Sequence, residues 1–176
     1  MSIGWIILII LGVIILYLII VYNRLITLKN RIENAWSQID VQLKRRYDLI
    51  PNLVQTVKGY MKHERTLLEN ITKARASLDQ GSIQQKAKAS NMITDALKSI
   101  FAVAENYPNL KANENFKLLQ EELAGTENKI SYARQFYNDN VMTFNTAIQK
   151  FPTKIIANML SFKDREFFKT EEVEKK

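Results

Sequence analysis

The sequence predicts an all-α protein, with a single N-terminal transmembrane helix followed by a long antiparallel four-helix bundle. Three observations carry that expectation. Residues 3–22 form an uncharged apolar run. Glycine and proline are scarce, five and three in 176 residues, where a sheet protein with many tight turns needs more of both. Beyond the run, apolar residues recur at steps of three and four, the spacing of one helix face.

The run reads IGWIILIILGVIILYLIIVY. Its twenty residues, rising about 1.5 Å each, span about 30 Å, the thickness of bilayer hydrocarbon. Trp5 sits near one end and Tyr17 and Tyr22 toward the other, where amphipathic rings favour the interface. A cleaved signal peptide is the competing reading. It is disfavoured because there is no charged n-region, the run exceeds an h-region, and no A-x-A-like site follows. An uncleaved anchor over residues 1–22, meeting membrane lipid through residues 3–22, is expected. Arg24, Lys29 and Arg31 follow it against Glu33 and Asp40, so the positive-inside rule places the C-terminal part in the cytoplasm. Gly4 and Gly12 lie eight apart and make no GxxxG pair.

The bundle is expected over residues 23–150. Ile32, Trp36, Ile39, Leu43, Tyr47, Ile50 and Val54 step by 4, 3, 4, 4, 3 and 4, a mean of about 3.67. The first helix therefore reaches about Lys58. The spacing allows both a break near Gly59, with a second helix from Lys62 to Leu78, and one rod from Asn23 to Leu78. Gly81 suits a left-handed C′ position, and Ser82 with Gln85 forms a capping-box pattern. A third helix is expected to about Glu105, with Met92, Ile93, Ala96, Leu97, Ile100, Val103 and Ala104 on its apolar side. NYPNLKAN reads as a loop, because Pro108 disfavours helix at Tyr107, and Asn113 reads as the next N-cap. The fourth helix repeats Phe116, Leu119, Leu123, Thr126, Ile130, Ala133, Tyr137, Asn140, Phe144, Ala147 and Phe151, a coiled-coil heptad that stops at Pro152. Residues 151–168 then form a short amphipathic segment, expected to dock on the bilayer surface or on a neighbouring subunit. Residues 169–176 are expected to be a disordered charged tail.

Composition narrows the chemistry. There is no cysteine in these 176 residues, which removes disulfides, thiolate metal sites, a thiol nucleophile and a lipobox cysteine. The formal charge is +7, and residues 24–65 carry nine basic against four acidic residues. Within them Lys44-Arg45-Arg46 suggests a lipid patch or a nucleic-acid patch. Lys44 lies about 22 residues, or roughly 33 Å of helix, past the span, and the Debye length is about 8 Å, so the lipid patch is disfavoured. No recognition motif or stacking aromatic accompanies the run, so no nucleic-acid partner is expected. Arg46 borders the apolar stripe instead, placed to bury its stem and reach an acid on another helix. Matched antiparallel ends would set Arg45 and Arg46 near Glu127, and Asp48 near Gly125. Pro51 lacks an N–H, so the Tyr47 carbonyl loses its helical partner. Asp48 and Asn52 are candidates for a local polar network there, and a structural kink is favoured over a functional hinge.

No enzyme, metal or cofactor is expected. His63 is the single histidine and reads as solvated or capping. A di-iron bundle needs Glu-x-x-His, which is absent. No phosphate loop, dinucleotide fingerprint or nucleophile elbow occurs. Glu121 and Glu122 are adjacent and point about 100° apart, so they are surface charges or partners of Arg45 or Arg46. Asn138, Asp139 and Asn140 read as polar seam residues that fix register, ahead of a binding patch.

Three stretches, AWSQIDVQLKRRYDLIPNLVQTVKGYMKHE, ENYPNLKANENFKLLQEELAGTENKISYARQFYNDNV and FNTAIQKFPTKIIANMLSF, together resemble the LemA family over nearly the whole chain. The family pattern falls on Trp36, Arg45, Arg46, Asp48, Pro51, Asn52, Tyr107, Pro108, Glu121, Glu127, Arg134, Tyr137 and Asn138. The resemblance implies a bacterial single-pass plasma-membrane protein with a helical bundle. It supplies no reaction, though the family includes magnetosome-membrane proteins linked to vesicle formation. The sequence departs from the pattern soon after Arg165-Glu166-Phe167-Phe168, so no longer-tail function is expected. The resulting expectation is a non-enzymatic, homo-oligomeric scaffold or interaction module. A membrane-tethered adaptor for an unidentified cytoplasmic signalling or protease partner is the alternative. Trp36, Arg45, Arg46, Asp48, Pro51, Asn52, Glu127, Arg134, Tyr137 and Asn138 are the structural or interaction candidates.

Overall fold

A computed structural model describes residues 3–61, 63–79 and 81–169. The described residues form six helices and no strand: α1 (Ile3–Lys58), α2 (Arg65–Asp79), α3 (Ile83–Ala104), α4 (Pro108–Ala112), α5 (Glu114–Gln149) and α6 (Thr153–Met159). The charged tail from residue 170 and the expected helix start at Lys62 lie outside the described residues.

The chain divides into two compact units. One comprises residues up to Ala35 together with Phe136–Glu166. Here residues 3–20 of α1 are exposed on every side. From Val21 onward one face is buried, through Leu25, Leu28, Ile32 and Ala35. Tyr137, Val141, Phe144 and Ile148 of α5 and Ile156 and Ala157 of α6 complete this core. Both long stripes step by four and three, the spacing of one helix face.

The other unit comprises Trp36–Gln135 and the residues from Phe167. Its α1 stripe is Ile39, Leu43, Arg46, Ile50, Leu53 and Val57. This corrects the apolar reading at three places. Trp36, Tyr47 and Val54 are half-buried, and the charged Arg46 occupies the core position between Leu43 and Ile50. A pattern built on apolar residues alone skips a cation whose charge is neutralised from another helix. In the same unit α2 packs on α3, and α3 meets the short α4.

α1 ends at Lys58, where its stripe is expected to stop, and the chain turns at Gly59 and Tyr60, where the Tyr60 and Met61 amides both donate to the Val57 carbonyl. Three further expectations change. NYPNLKAN contains a helix, α4. Pro108 takes its first position, where a missing N–H costs nothing, and Tyr107 before it is non-helical. Met92 is exposed rather than core. On α5, Val141 and Ile148 are buried while Asn140 and Ala147 are half-buried and Phe151 is 83% exposed. The strict heptad falls one position short at Asn140 and Ala147, while Phe144 between them is buried as expected.

Local signals hold where backbone chemistry is specific. Asn113 Oδ1 accepts from the Phe116 amide at 3.1 Å, capping α5. At α3 the Ser82 hydroxyl accepts from the Gln85 amide at 3.3 Å, and Gln85 Oε1 accepts from the Ser82 amide at 2.8 Å. Gly81 precedes this box at φ 129°, and a Cβ there would sit 2.6 Å from Gln85 Oε1. Gly81→Ala is therefore expected to lower stability by about 1–2 kcal/mol, combining backbone strain with a lost cap. An unchanged thermal midpoint by circular dichroism would contradict it.

α6 ends in a Schellman motif. The Phe162 amide donates to the Ala157 carbonyl at 2.9 Å and the Ser161 amide to Asn158 at 3.1 Å. Ser161 occupies the C′ position at φ 58°, which glycine adopts without steric cost. Ser161→Gly is expected to raise stability by about 0.5–1 kcal/mol. A denaturant midpoint that falls would contradict it.

Candidate functional site

Arg46 is fully buried on α1. A buried guanidinium is tolerated only when paired and hydrogen-bonded. Two helices supply the partners. On α3, Ser90 and Thr94 lie one turn apart and share a face. Arg46 Nη1 donates to Thr94 Oγ1 at 3.1 Å, and to the Ser90 carbonyl and hydroxyl at 3.4 Å each. On α5, Glu127 Oε2 accepts from Arg46 Nη2 in an ion pair, and from the Thr94 hydroxyl at 2.8 Å. Thr94 thus receives from the cation and donates to the anion. Burial pulls the Arg46 pKa down from its ordinary value, and the charge and hydrogen bond of Glu127 oppose that. Arg46 Nε and Gln42 Oε1, one turn apart on α1, are buried without a protein partner, so the cluster is not saturated.

Around this lock stand two flanking contacts. Arg45 reaches Glu122 at 3.8 Å rather than Glu127, with both side chains half exposed. Lys86 on α3 bonds Asp40 at 2.6 Å and lies 5.8 Å from the Trp36 ring centroid, while Phe168 packs on Trp36 at 6.1 Å. A cavity of about 160 Å³ opens beside them, among Asp40, Tyr47 and Lys86.

Pro51 lies inside α1. The carbonyl it leaves without a helical donor belongs to Tyr47, and Arg75 of α2 takes it: Arg75 Nε donates to the Tyr47 carbonyl at 2.9 Å. The same guanidinium sits 3.7 Å from the Tyr47 ring centroid. Asp48 and Asn52 are exposed, and it is Arg75, from a different helix, that meets the Tyr47 carbonyl.

In the unit containing Phe136–Glu166, residues 162–166 run extended along α5. Asn145 reads their backbone from both sides: its amide donates to the Arg165 carbonyl at 2.9 Å, and its Oδ1 accepts from the Arg165 amide at 2.8 Å. The Tyr137 hydroxyl donates to the Glu166 carbonyl at 2.9 Å, Gln149 to Asp164 at 3.1 Å, and Phe162 packs edge-on against Phe144. Burial pushes the Tyr137 phenol above its ordinary pKa, with Arg165 opposing and Glu166 adding. Residues 162–166 therefore dock on their own α5.

The structure thus joins Arg46 and Glu127. Trp36 packs on Phe168, Pro51 leaves the Tyr47 carbonyl to Arg75, and Tyr137 bonds the Glu166 carbonyl, while Asp48 and Asn52 are exposed and Arg134 and Asn138 are half-buried on α5. Sequence reasoning missed Arg75, Ser90, Thr94 and Asn145. For Ser90 and Thr94 a signal existed: two hydroxyls one turn apart on the apolar side of α3. Nothing local flags Arg75 or Asn145. Chemically, a guanidinium held charged is no proton acceptor. Among the described residues no group of three or more His, Asp or Glu is placed to hold a metal ion.

A sequence model described as LemA family matches residues 35–176. The chain is 29% identical over 158 residues to Protein LemA of Metamycoplasma hominis, covering 87% of this chain and 71% of that protein. It is 24% identical over 174 residues to Magnetosome protein MamQ of Magnetospirillum gryphiswaldense, and 25% identical over 174 residues to Magnetosome protein MamQ 2 of Paramagnetospirillum magneticum. Each of these two matches covers 84% of this chain and 64% of the relative, so the chain spans just under two thirds of their length.

Proposed function

Because the chain belongs to the LemA family, we propose that it is a single-pass, membrane-anchored helical protein that works as a self-assembling scaffold rather than an enzyme. The observation that carries this reading is the exposure of residues 3–20 on all faces. A wholly apolar helix of that length with no protein around it matches a bilayer, not water. The remainder of α1 supports it by changing character at Val21, where a buried face begins. The magnetosome proteins it resembles point the same way. Past the anchor, the reading takes α1 from Trp36, α2, α3 and α5 to Gln135 as an antiparallel four-helix arrangement locked at Arg46. Apolar side chains left outside, among them Val41, Leu118 and Tyr132, are the faces through which copies meet. The cations that follow the span support a C-terminal part in the bacterial cytoplasm.

The test is the mass of the full-length protein in nanodiscs or mild detergent, read by mass photometry. A large discrete assembly is expected. A monomer would overturn self-assembly and favour the tethered adaptor. Recovery in the soluble fraction without detergent would overturn the anchor.

A further inference from the structure

The unit that holds the arginine lock also contains an open apolar cleft of about 700 Å³, where α1 ends and α2 begins. Its origin is the turn between the two helices. α1 stops at Lys58, the chain reverses, and α2 starts at Arg65, so the two helix ends enclose a space that no side chain fills. Val54, Met61 and Leu68 line it. Val54 and Leu68 are only half-buried, although both stand at apolar positions of their helices.

The rim is cationic. Lys58, Arg65 and Lys73 line the cleft against one acid, Glu69. Glu69 is already engaged, since Arg65 Nε donates to it at 2.7 Å and holds its carboxyl below the ordinary range. Lys58 and Lys73, the second of which also adds its charge to holding the Glu69 carboxyl down, border an apolar space whose volume lies within the roughly 300–1,000 Å³ typical of small-molecule sites. An apolar floor with a cationic edge fits a ligand built the opposite way round, an alkyl chain ending in an anion. We propose that this cleft binds a single-chain anionic amphiphile, with its chain over Val54, Met61 and Leu68 and its acid group between Lys58 and Lys73. Nothing in this depends on self-assembly.

Met61 provides the readout, because it is buried in the cleft floor while Met92, Met142 and Met159 are exposed elsewhere. The experiment uses full-length protein labelled with ¹³C at the methionine methyls, in nanodiscs of zwitterionic lipid, titrated with decanoate. The signal assigned to Met61 by its loss in Met61→Leu is expected to shift saturably while the three exposed methyls stay still. Lys58→Gln with Lys73→Gln is expected to weaken binding roughly tenfold, two exposed charge contacts of a few-fold each. Decanol is expected to bind more weakly than decanoate. No Met61 shift at millimolar decanoate, equal shifts at Met61, Met92, Met142 and Met159, or decanol binding as well as decanoate would each overturn the proposal. A Met61 response only to an acidic amphipathic peptide would overturn it too, and would make the cleft a protein-docking groove.

Discussion

Glu127→Ala is expected to destabilise the protein by about 3 kcal/mol, and to cost more than Arg46→Met at the other end of the same ion pair. The asymmetry follows from burial. Arg46 is 0% exposed and Glu127 40%. Without Glu127, the guanidinium stays in the core with only the hydroxyls and carbonyl of Ser90 and Thr94 around it. Without Arg46, the carboxylate turns to water through its open side, and methionine refills the volume the arginine stem occupied. That open side also screens the pair, which keeps the figure below the upper range for buried bridges. Arg46→Met with Glu127→Ala should lose less than the sum of the single changes, giving a coupling of about 1–2 kcal/mol. Denaturant titration of full-length protein in mild detergent checks all three variants. Equal losses at both residues, or additivity, would mean that the cluster does not act as a unit.

Arg75→Leu is expected to cost about 2 kcal/mol, and much less once Pro51 is replaced by alanine. In the native chain Arg75 satisfies the Tyr47 carbonyl, which Pro51 has deprived of its helical donor. Leucine leaves that carbonyl unsatisfied and removes the cation from the tyrosine face. Pro51→Ala restores a backbone N–H four residues on and by itself should stabilise the helix by about 1–3 kcal/mol. In that background the Arg75 contact reduces to its stacking part. If Arg75→Leu costs the same with and without Pro51, the guanidinium is not the proline's substitute donor, and the pairing described above has no energetic content.

How much of this was legible depended on whether the signal was local. Ser82–Gln85 and the Asn113 cap were readable because a cap involves side chain and backbone a few residues apart. The end of α1 at Lys58 was readable as an interrupted stripe. The partnership of Arg46 with Glu127 was readable only through an assumed helix register, and the same register misplaced Arg45, whose acid is Glu122. The missing donor at Tyr47 could be deduced from Pro51 alone. Its replacement could not, because Arg75 is 28 residues away and an arginine on a half-polar helix carries no mark of its destination. Asn145 was invisible for a different reason: an asparagine on a heptad flank looks like surface until an extended backbone lies beside it. The swap of Asn140 and Ala147 for Val141 and Ile148 arose because a strict heptad was imposed on a helix free to drift.

α1 passes from its fully exposed stretch, residues 3–20, to its first buried residue, Val21, without a break in the helix. Held in a bilayer, such an anchor has no swivel. A flexible tether lets the body above it sample every attitude. Here any tilt of the anchor carries straight into residues 21–35, at a fixed clearance from the lipid. Spinning about the membrane normal is the cheap motion that remains. Any two copies held this way would present residues 21–35 in the same sense, a search in two dimensions and one angle in place of the six degrees of freedom of a free encounter.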